Sequence, residues 1–280
     1  MFDSHVHAAP DVLPRIGDDA AIGRAFDTSG FTGFVLKAHY ESTVGRAHAV
    51  ATATGLSVYG GIALNQHVGG VNPAAVAATL AAGGRVVWMP TADAHTQRAA
   101  GLPALCLHEP RLGNQAYAIP PVDPTAQEAV DLVLDLVAEH DAVLATGHLS
   151  AAECRWLGGR AGERGVSRLL FTHPSYVVPA IDPAGVRVLA EMGGHIEITA
   201  YQLLHQPGCT PSFLARVAEA AGERLVLSSD TGQPDSPMPS EALVMLIDAL
   251  AGEGLGRGWL TTAAGETPHA LFAPEARSDA

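Results

Sequence analysis

The first seven residues, Met1-Phe2-Asp3-Ser4-His5-Val6-His7, carry a His-x-His pair inside a short apolar run. In an extended strand, residues two apart project to the same side, so Asp3, His5 and His7 are expected to share a face. Two imidazoles on one face form a natural chelate for a divalent metal, and such groups are costly to bury unless they bind something. Alone, the pair is a weak signal. It gains force from three further runs that stop at a ligand-type residue: Thr146-Gly147-His148, Thr172-His173-Pro174 and Ser228-Ser229-Asp230. Four imidazoles and a carboxylate at the ends of apolar runs point to a metal centre that activates water for attack at neutral pH.

A second chemical signal is Lys37, the only lysine in a chain whose other cationic side chains are all arginine. A guanidinium cannot serve as a neutral amine, whereas a lysine changes its pKa readily or accepts modification. His39 lies two residues on and shares its face. Tyr40, Asn65, His67, Asp93 and His95 follow the next runs, and His195 and Glu197 alternate within another. Tyr40, Asn65, Asp93, His95, His39 and Glu197 are therefore candidate substrate contacts. Glu197, inside Ile-Glu-Ile, needs a cation or a hydrogen-bond partner if buried. Asp11, Arg15 and Asp18-Asp19 read as a polar loop and a helix start.

Eight short apolar or β-branched runs are available to position these groups: 2–7, 31–37, 57–64, 85–89, 142–146, 168–172, 194–199 and 224–228. Most are apolar at the start and polar at the C-terminal end, as buried parallel strands are. Helical segments lie between them. Asn72-Pro73, Asp182-Pro183 and Thr210-Pro211 predict helix starts, as do capping boxes at Thr125–Glu128 and Ser150–Glu153. Gly30, Gly55, Gly83, Gly193 and Gly222 fall where helices should stop. Eightfold strand–helix alternation predicts an α/β (β/α)8 TIM barrel formed as one domain by residues 1–280. A doubly wound sheet is less favoured, because no Gly-x-Gly-x-x-Gly follows an early strand. Residues 94–123 break the rhythm and predict an insertion after strand four, without a clear helix, in which 105–108 and 115–119 would pair as a hairpin lid. The tail after Phe272 is expected to fray.

This constellation resembles the amidohydrolase superfamily of metal-dependent hydrolases, which includes phosphotriesterase-like and TatD-like enzymes. The resemblance spans nearly the whole chain, down to the ending Thr267-Pro268-His269-Ala270-Leu271-Phe272. It implies that His5, His7 and Asp230 bind the more buried metal. His148 and His173 would bind a second metal or orient the attacking water, and Asp230 would shuttle its proton. The chain departs from the family at strand four, where binuclear members carry a carboxylated Lys or a Glu. Here the sequence is Trp88-Met89-Pro90-Thr91-Ala92-Asp93, so Lys37 would bridge from strand two or remain an amine that polarises the substrate, and Asp93 is a weaker bridge.

The leading expectation is hydrolysis of an amide, ester, lactone or similar bond in a small polar substrate. Alternatives are a decarboxylating lyase on the same site, a trinuclear phosphoesterase, disfavoured by the shortage of acidic strand ends, and a non-catalytic metal-binding paralogue. Nitrogen and oxygen ligands suit Zn2+ best, with Mn, Fe or Ni as substitutes and one or two ions per site. A net charge of −13 argues against a nucleic-acid partner. No run approaches the roughly 18 apolar residues of a membrane span, and no leader is evident, so a cytoplasmic protein is expected. Cys106, Cys154 and Cys209 lack metal-site spacing. A homo-oligomer is a default expectation.

Overall fold

The structure, a computed structural model, describes residues 1–102, 105, 111 and 113–274. Its strands are β1 (Phe2–Val6), β2 (Gly33–Leu36), β3 (Ser57–Ala63), β4 (Val86–Trp88), β5 (Val143–Ala145), β6 (Leu169–Phe171), β7 (His195–Thr199) and β8 (Leu225–Ser228). They form one parallel sheet in the order β1 to β8. Each lies within the run expected for it, trimmed by at most two residues at either end. The sheet curls until β1 meets β8, where Asp230 N donates to His5 O at 2.8 Å and His7 N donates to Thr231 O at 2.9 Å. The architecture is therefore a (β/α)8 barrel, which leaves no open sheet edge.

Parallel neighbours require crossovers, and helices supply them. The helices are α1 (Asp19–Thr28), α2 (Val44–Thr54), α3 (Pro73–Ala81), α4 (His95–Ala99), α5 (Gln127–Glu139), α6 (Ala151–Glu163), α7 (Pro183–Glu191), α8 (Ala200–His205), α9 (Pro211–Ala221), α10 (Pro239–Gly252), α11 (Arg257–Ala263) and α12 (Glu266–Phe272). Asn72, Asp182 and Thr210 cap their helices as expected, and Ser150 and Glu153 close a reciprocal capping box. The expected box at Thr125–Glu128 does not form. Asp123 instead accepts from Thr125 N at 3.0 Å and Thr125 Oγ1 at 2.6 Å, starting a short 3-10 turn ahead of α5. The Asp-Pro step takes the cap because the proline already fixes the first turn.

Two apolar layers result. Val35, Ala63, Val86, Trp88, Val143, Ala145, Leu170 and Val226 fill the barrel with Phe2, while a larger cluster packs the outer strand faces against the helices. Helix α12 closes the bottom, adding Leu271 and Phe272 to the inner layer. Arg85 Nε donates to Phe272 O at 2.9 Å, and Arg168 Nη1 donates to Ala270 O at 2.7 Å and Leu271 O at 2.8 Å. These two cations satisfy carbonyls that a helix C-terminus leaves open.

Residues 94–123 contain a helix, α4, contrary to the expectation of none. Tyr117 pairs with the strand-four exit, since His95 N donates to Tyr117 O and Tyr117 N to Asp93 O, both at 2.8 Å. Apart from Leu105, the other half of the expected hairpin lies outside the described residues, as does the tail beyond Pro274.

Two glycines at the top of the barrel are required by close approach. A Cβ on Gly147 would come within 2.3 Å of Met89 O, and one on Gly232 within 1.9 Å of His7 O; both have positive φ. Gly30 also has positive φ but nothing within 4 Å. Gly232→Ala should lose about 3–4 kcal/mol of unfolding free energy in urea, against about 1 kcal/mol for Gly30→Ala. Equal losses would show that backbone conformation alone decides.

Candidate metal centre

The pairing of β1 with β2 slips between Asp3 and Val6: Asp3 faces Phe34, yet Val6 faces Leu36. Such a bulge re-aims side chains. Phe2 belongs to the inner apolar layer, and beyond the bulge His5 and His7 reach the centre of the barrel mouth. Asp3 does not share their site. Its Oδ1 accepts from His5 N at 3.1 Å and Ser229 N at 3.0 Å, fastening β1 to β8. Burial pushes its carboxyl up to about 7, and its Oδ2 has no hydrogen-bond partner among the described residues.

Above Asp3 the expected ligands converge. His5 Nε2 and His7 Nε2 stand 3.0 and 3.3 Å from Asp230 Oδ1. One donor atom from each of the three lies within 4.8 Å of the others. His173 Nε2 is 3.9 Å from Asp230 Oδ2. The His148 ring centre is 5.0 Å from that of His173, and His39 lies 5.1 Å from His7. Lys37 Nζ is 3.0 Å from His5 Nε2 and 5.4 Å from the Trp88 ring centre. His173 and Asp230 both sit in the left-handed region, with φ of 25° and 51°. That conformation is costly for residues with a Cβ and persists only where neighbours enforce it.

Glu197 is the neighbour beneath. Fully buried, it accepts from Ser228 Oγ at 2.8 Å and from His173 N at 3.2 Å, and lies 3.2 Å from His5 Nδ1. Burial alone would raise its pKa, but the interaction with His5 prevails and lowers it. A carboxylate only accepts, so His5 carries its proton on Nδ1 and turns the Nε2 lone pair toward Asp230. Lone pair and carboxylate facing each other at 3.0 Å demand a cation. The Lys37 amine, 3.0 Å from the same Nε2, and a proton on His5 each meet that demand in part, Asp230 and Glu197 overcoming burial to push His5 up to about 9. A divalent ion meets it with His7 as well, so the donor set fits a metal.

The remaining imidazoles are held in the form that ligates. Burial, aided by Arg15, takes His7 down to about 3, and burial takes His173 down to about 4. Burial and neighbouring cations hold His39 and His148 well below the usual range. His148 Nδ1 meets Gln97 Oε1 at 3.0 Å, which leaves its Nε2 lone pair for the cavity. His173 Nδ1 is buried with no partner among the described residues. Lys37 is lowered to about 8 by burial, against the pull of Asp230 and Glu197.

Residues 1–197 match the sequence signature of DUF6282, described as a family of unknown function. The chain belongs to that family. No curated protein matches the sequence. Among solved structures, the DUF6282 barrel is similar to an organophosphorus hydrolase from Deinococcus radiodurans, at 16 % identity and a TM-score of 0.59 over 98 % of this chain and 92 % of that one. It is also similar to an amidohydrolase from Pseudomonas aeruginosa, at 12 % identity and a TM-score of 0.62 over 97 % and 96 %. The fold is thus the barrel of phosphotriesterase-like and amidohydrolase proteins, as the sequence resemblance implied.

A cavity of about 180 Å3 opens above the ligands of the DUF6282 barrel. Lys37, His39, His148, His173 and Asp230 line its floor, with Leu13, Leu105, Tyr176 and Tyr201 as walls. Arg15, Gln97 and Gln233 also line it, and sequence reasoning had assigned none of these three to the site. Their signal was positional: Arg15 follows strand one, Gln97 strand four and Gln233 strand eight, just as Tyr176 and Tyr201 follow strands six and seven, on the catalytic face of a barrel.

Several expected substrate contacts lie elsewhere. Asn65 is fully engaged in the scaffold: Nδ2 donates to His39 O at 2.5 Å and Thr91 Oγ1 at 2.7 Å, while Oδ1 accepts from Thr91 N and Asp93 N. Asp93 pairs with Arg98 at 2.5 Å and accepts from Gln66 N at 2.8 Å, so it is no metal bridge. His95 Nε2 meets Glu153 Oε2 at 2.9 Å, away from the cavity. Tyr40 Oη accepts from Val12 N at 2.5 Å and faces His67, anchoring a loop rather than a ligand. Glu197 stands behind His5 and does not line the cavity. His39 does line it, its Nδ1 held by Thr91 Oγ1 at 2.9 Å.

Asn65→Ala leaves two backbone donors unpaired in the interior. It should lower unfolding free energy by about 2–4 kcal/mol in chemical denaturation. Intact stability with weakened substrate binding would return Asn65 to the substrate contacts.

Proposed function

We propose that this protein is a hydrolase that uses one divalent ion, with zinc the best match to its donors, to cleave an ester, lactone or amide of a small polar molecule. The observation that carries this reading is the meeting of His5 Nε2, His7 Nε2 and Asp230 Oδ1 with Glu197 behind His5. A purely structural carboxylate would need no such oriented imidazoles. A divalent ion held by these residues would supply an acidified water and polarise the scissile carbonyl.

The chain's own groups do the rest. Asp230 divides its oxygens: Oδ1 faces His5 and His7, while Oδ2 faces His173 across 3.9 Å. Oδ2 is placed to take a proton from water as its oxygen adds to the carbonyl carbon. It then returns that proton to the leaving group as the bond to it breaks. Burial of the imidazoles keeps His148 and His173 neutral, so they orient water or carbonyl oxygen without competing for the proton. Lys37, the one group here whose pKa lies near 8, donates from Nζ to the developing oxyanion while protonated. Read as an amine 3.0 Å from His5 Nε2, Lys37 supplies no bridging carboxylate, and the site then holds one ion rather than two.

A panel of lactones, esters and amides should be screened with protein reconstituted in zinc, following both substrate loss and released acid. Asp230→Asn should lower turnover at least ~100-fold, within the range of general acid–base contributions, while leaving the unfolding transition in place. Unchanged turnover removes the proposed proton route. Carbon dioxide release in place of hydrolysis would move the chemistry to a lyase.

A further inference from the structure

On the hydrolase reading above, we infer that Arg15 is a specificity residue that binds the carboxylate of a compact anionic substrate. Arg15 stands in the loop between β1 and α1, only 3 % of its side chain is exposed, and it lines the cavity. Burying a guanidinium is costly, and its one ion-pair partner among the described residues is Asp11, whose side chain is fully buried. Asp11 Oδ2 takes Arg15 Nε at 2.8 Å and Nη2 at 2.7 Å, while Oδ1 takes Leu13 N at 2.9 Å. Tyr40, through Val12 N, pins the same loop.

Asp11 therefore fixes one edge of the guanidinium and leaves the other edge presented. Nη1 makes no hydrogen bond among the described residues, and the second Nη2 proton has only His7 Nδ1 near it, 3.4 Å away, a nitrogen that itself bears the proton when His7 Nε2 faces a metal. Two parallel N–H groups held in a rigid plane match a carboxylate in bidentate fashion. The position also makes sense of the chemistry. The guanidinium is beside His7, so a carboxylate on it stands a few bonds from a carbonyl held near Asp230. Size sets the rest: the 180 Å3 cavity is somewhat larger than one known to hold benzene. Tyr176 and Tyr201, with ring centres 6.0 Å apart, supply flat apolar walls for the body of such a molecule.

The test is calorimetric titration of the zinc-reconstituted protein with benzoate and with its neutral isostere benzamide, with metal content measured on the same samples. Wild type should prefer benzoate at least tenfold, and Arg15→Gln should abolish the preference without changing metal content. The double variant D11N/R15Q removes the unpaired buried Asp11 charge and must give the same loss if the single variant folds poorly. A benzoate preference that survives in either folded variant would overturn the assignment, as would equal binding of both probes by wild type. A protein that holds no metal yet shows an Arg15-dependent preference would keep this assignment and remove the hydrolase reading instead.

Discussion

The top of this barrel hangs on one buried carboxylate. Glu197 enters from β7 with no exposed surface and is balanced by three donors from three other places: the His5 ring on β1, the His173 backbone after β6 and the Ser228 hydroxyl on β8. An uncompensated carboxylate at that depth would cost several kcal/mol. The donors are therefore held as tightly as the charge requires. Their arrangement is what turns the His5 Nε2 lone pair upward and supports His173 in its left-handed conformation. The candidate metal ligands are oriented from below before any ligand arrives.

The same logic separates the two ends of the molecule. At the bottom, arginines from the starts of β4 and β6 are spent on carbonyls of the closing helix, an arrangement that stabilises and does no chemistry. At the top, polar groups are aimed inward and left partly unsatisfied: among the described residues the buried His173 Nδ1 has no partner and the Arg15 Nη1 makes no hydrogen bond. Unsatisfied polarity in an interior is expensive and is retained where something binds.

Much of this was legible in the residues. Eight runs, their order and the polar C-terminal ends predicted the barrel, because parallel strands buried on both faces leave a plain apolar signature. The ligands His5, His7, His148, His173 and Asp230 were legible for the same reason, each breaking an apolar run at its end. What failed did so where spacing is not geometry. The bulge in β1 removed Asp3 from the face it would share with His5. Asn65, Asp93 and His95 follow strands as ligands do, but their partners, Thr91 in a loop, Arg98 on α4 and Glu153 on α6, are brought to them by tertiary packing that no periodicity encodes. Arg15 carries no such signal, because a charged residue in a loop usually faces solvent, and only the fold shows that this loop lies over the mouth of the barrel.

The central claim is that Glu197, His5, His7 and Asp230 form a divalent metal centre. Metal per chain, measured by elemental analysis of protein purified without added metal and after reconstitution, tests it most directly beside a His5→Ala/His7→Ala variant. The account predicts close to one divalent ion per chain, lost in the variant while the barrel remains folded. Absence of metal after reconstitution, or full retention in the variant, would contradict it.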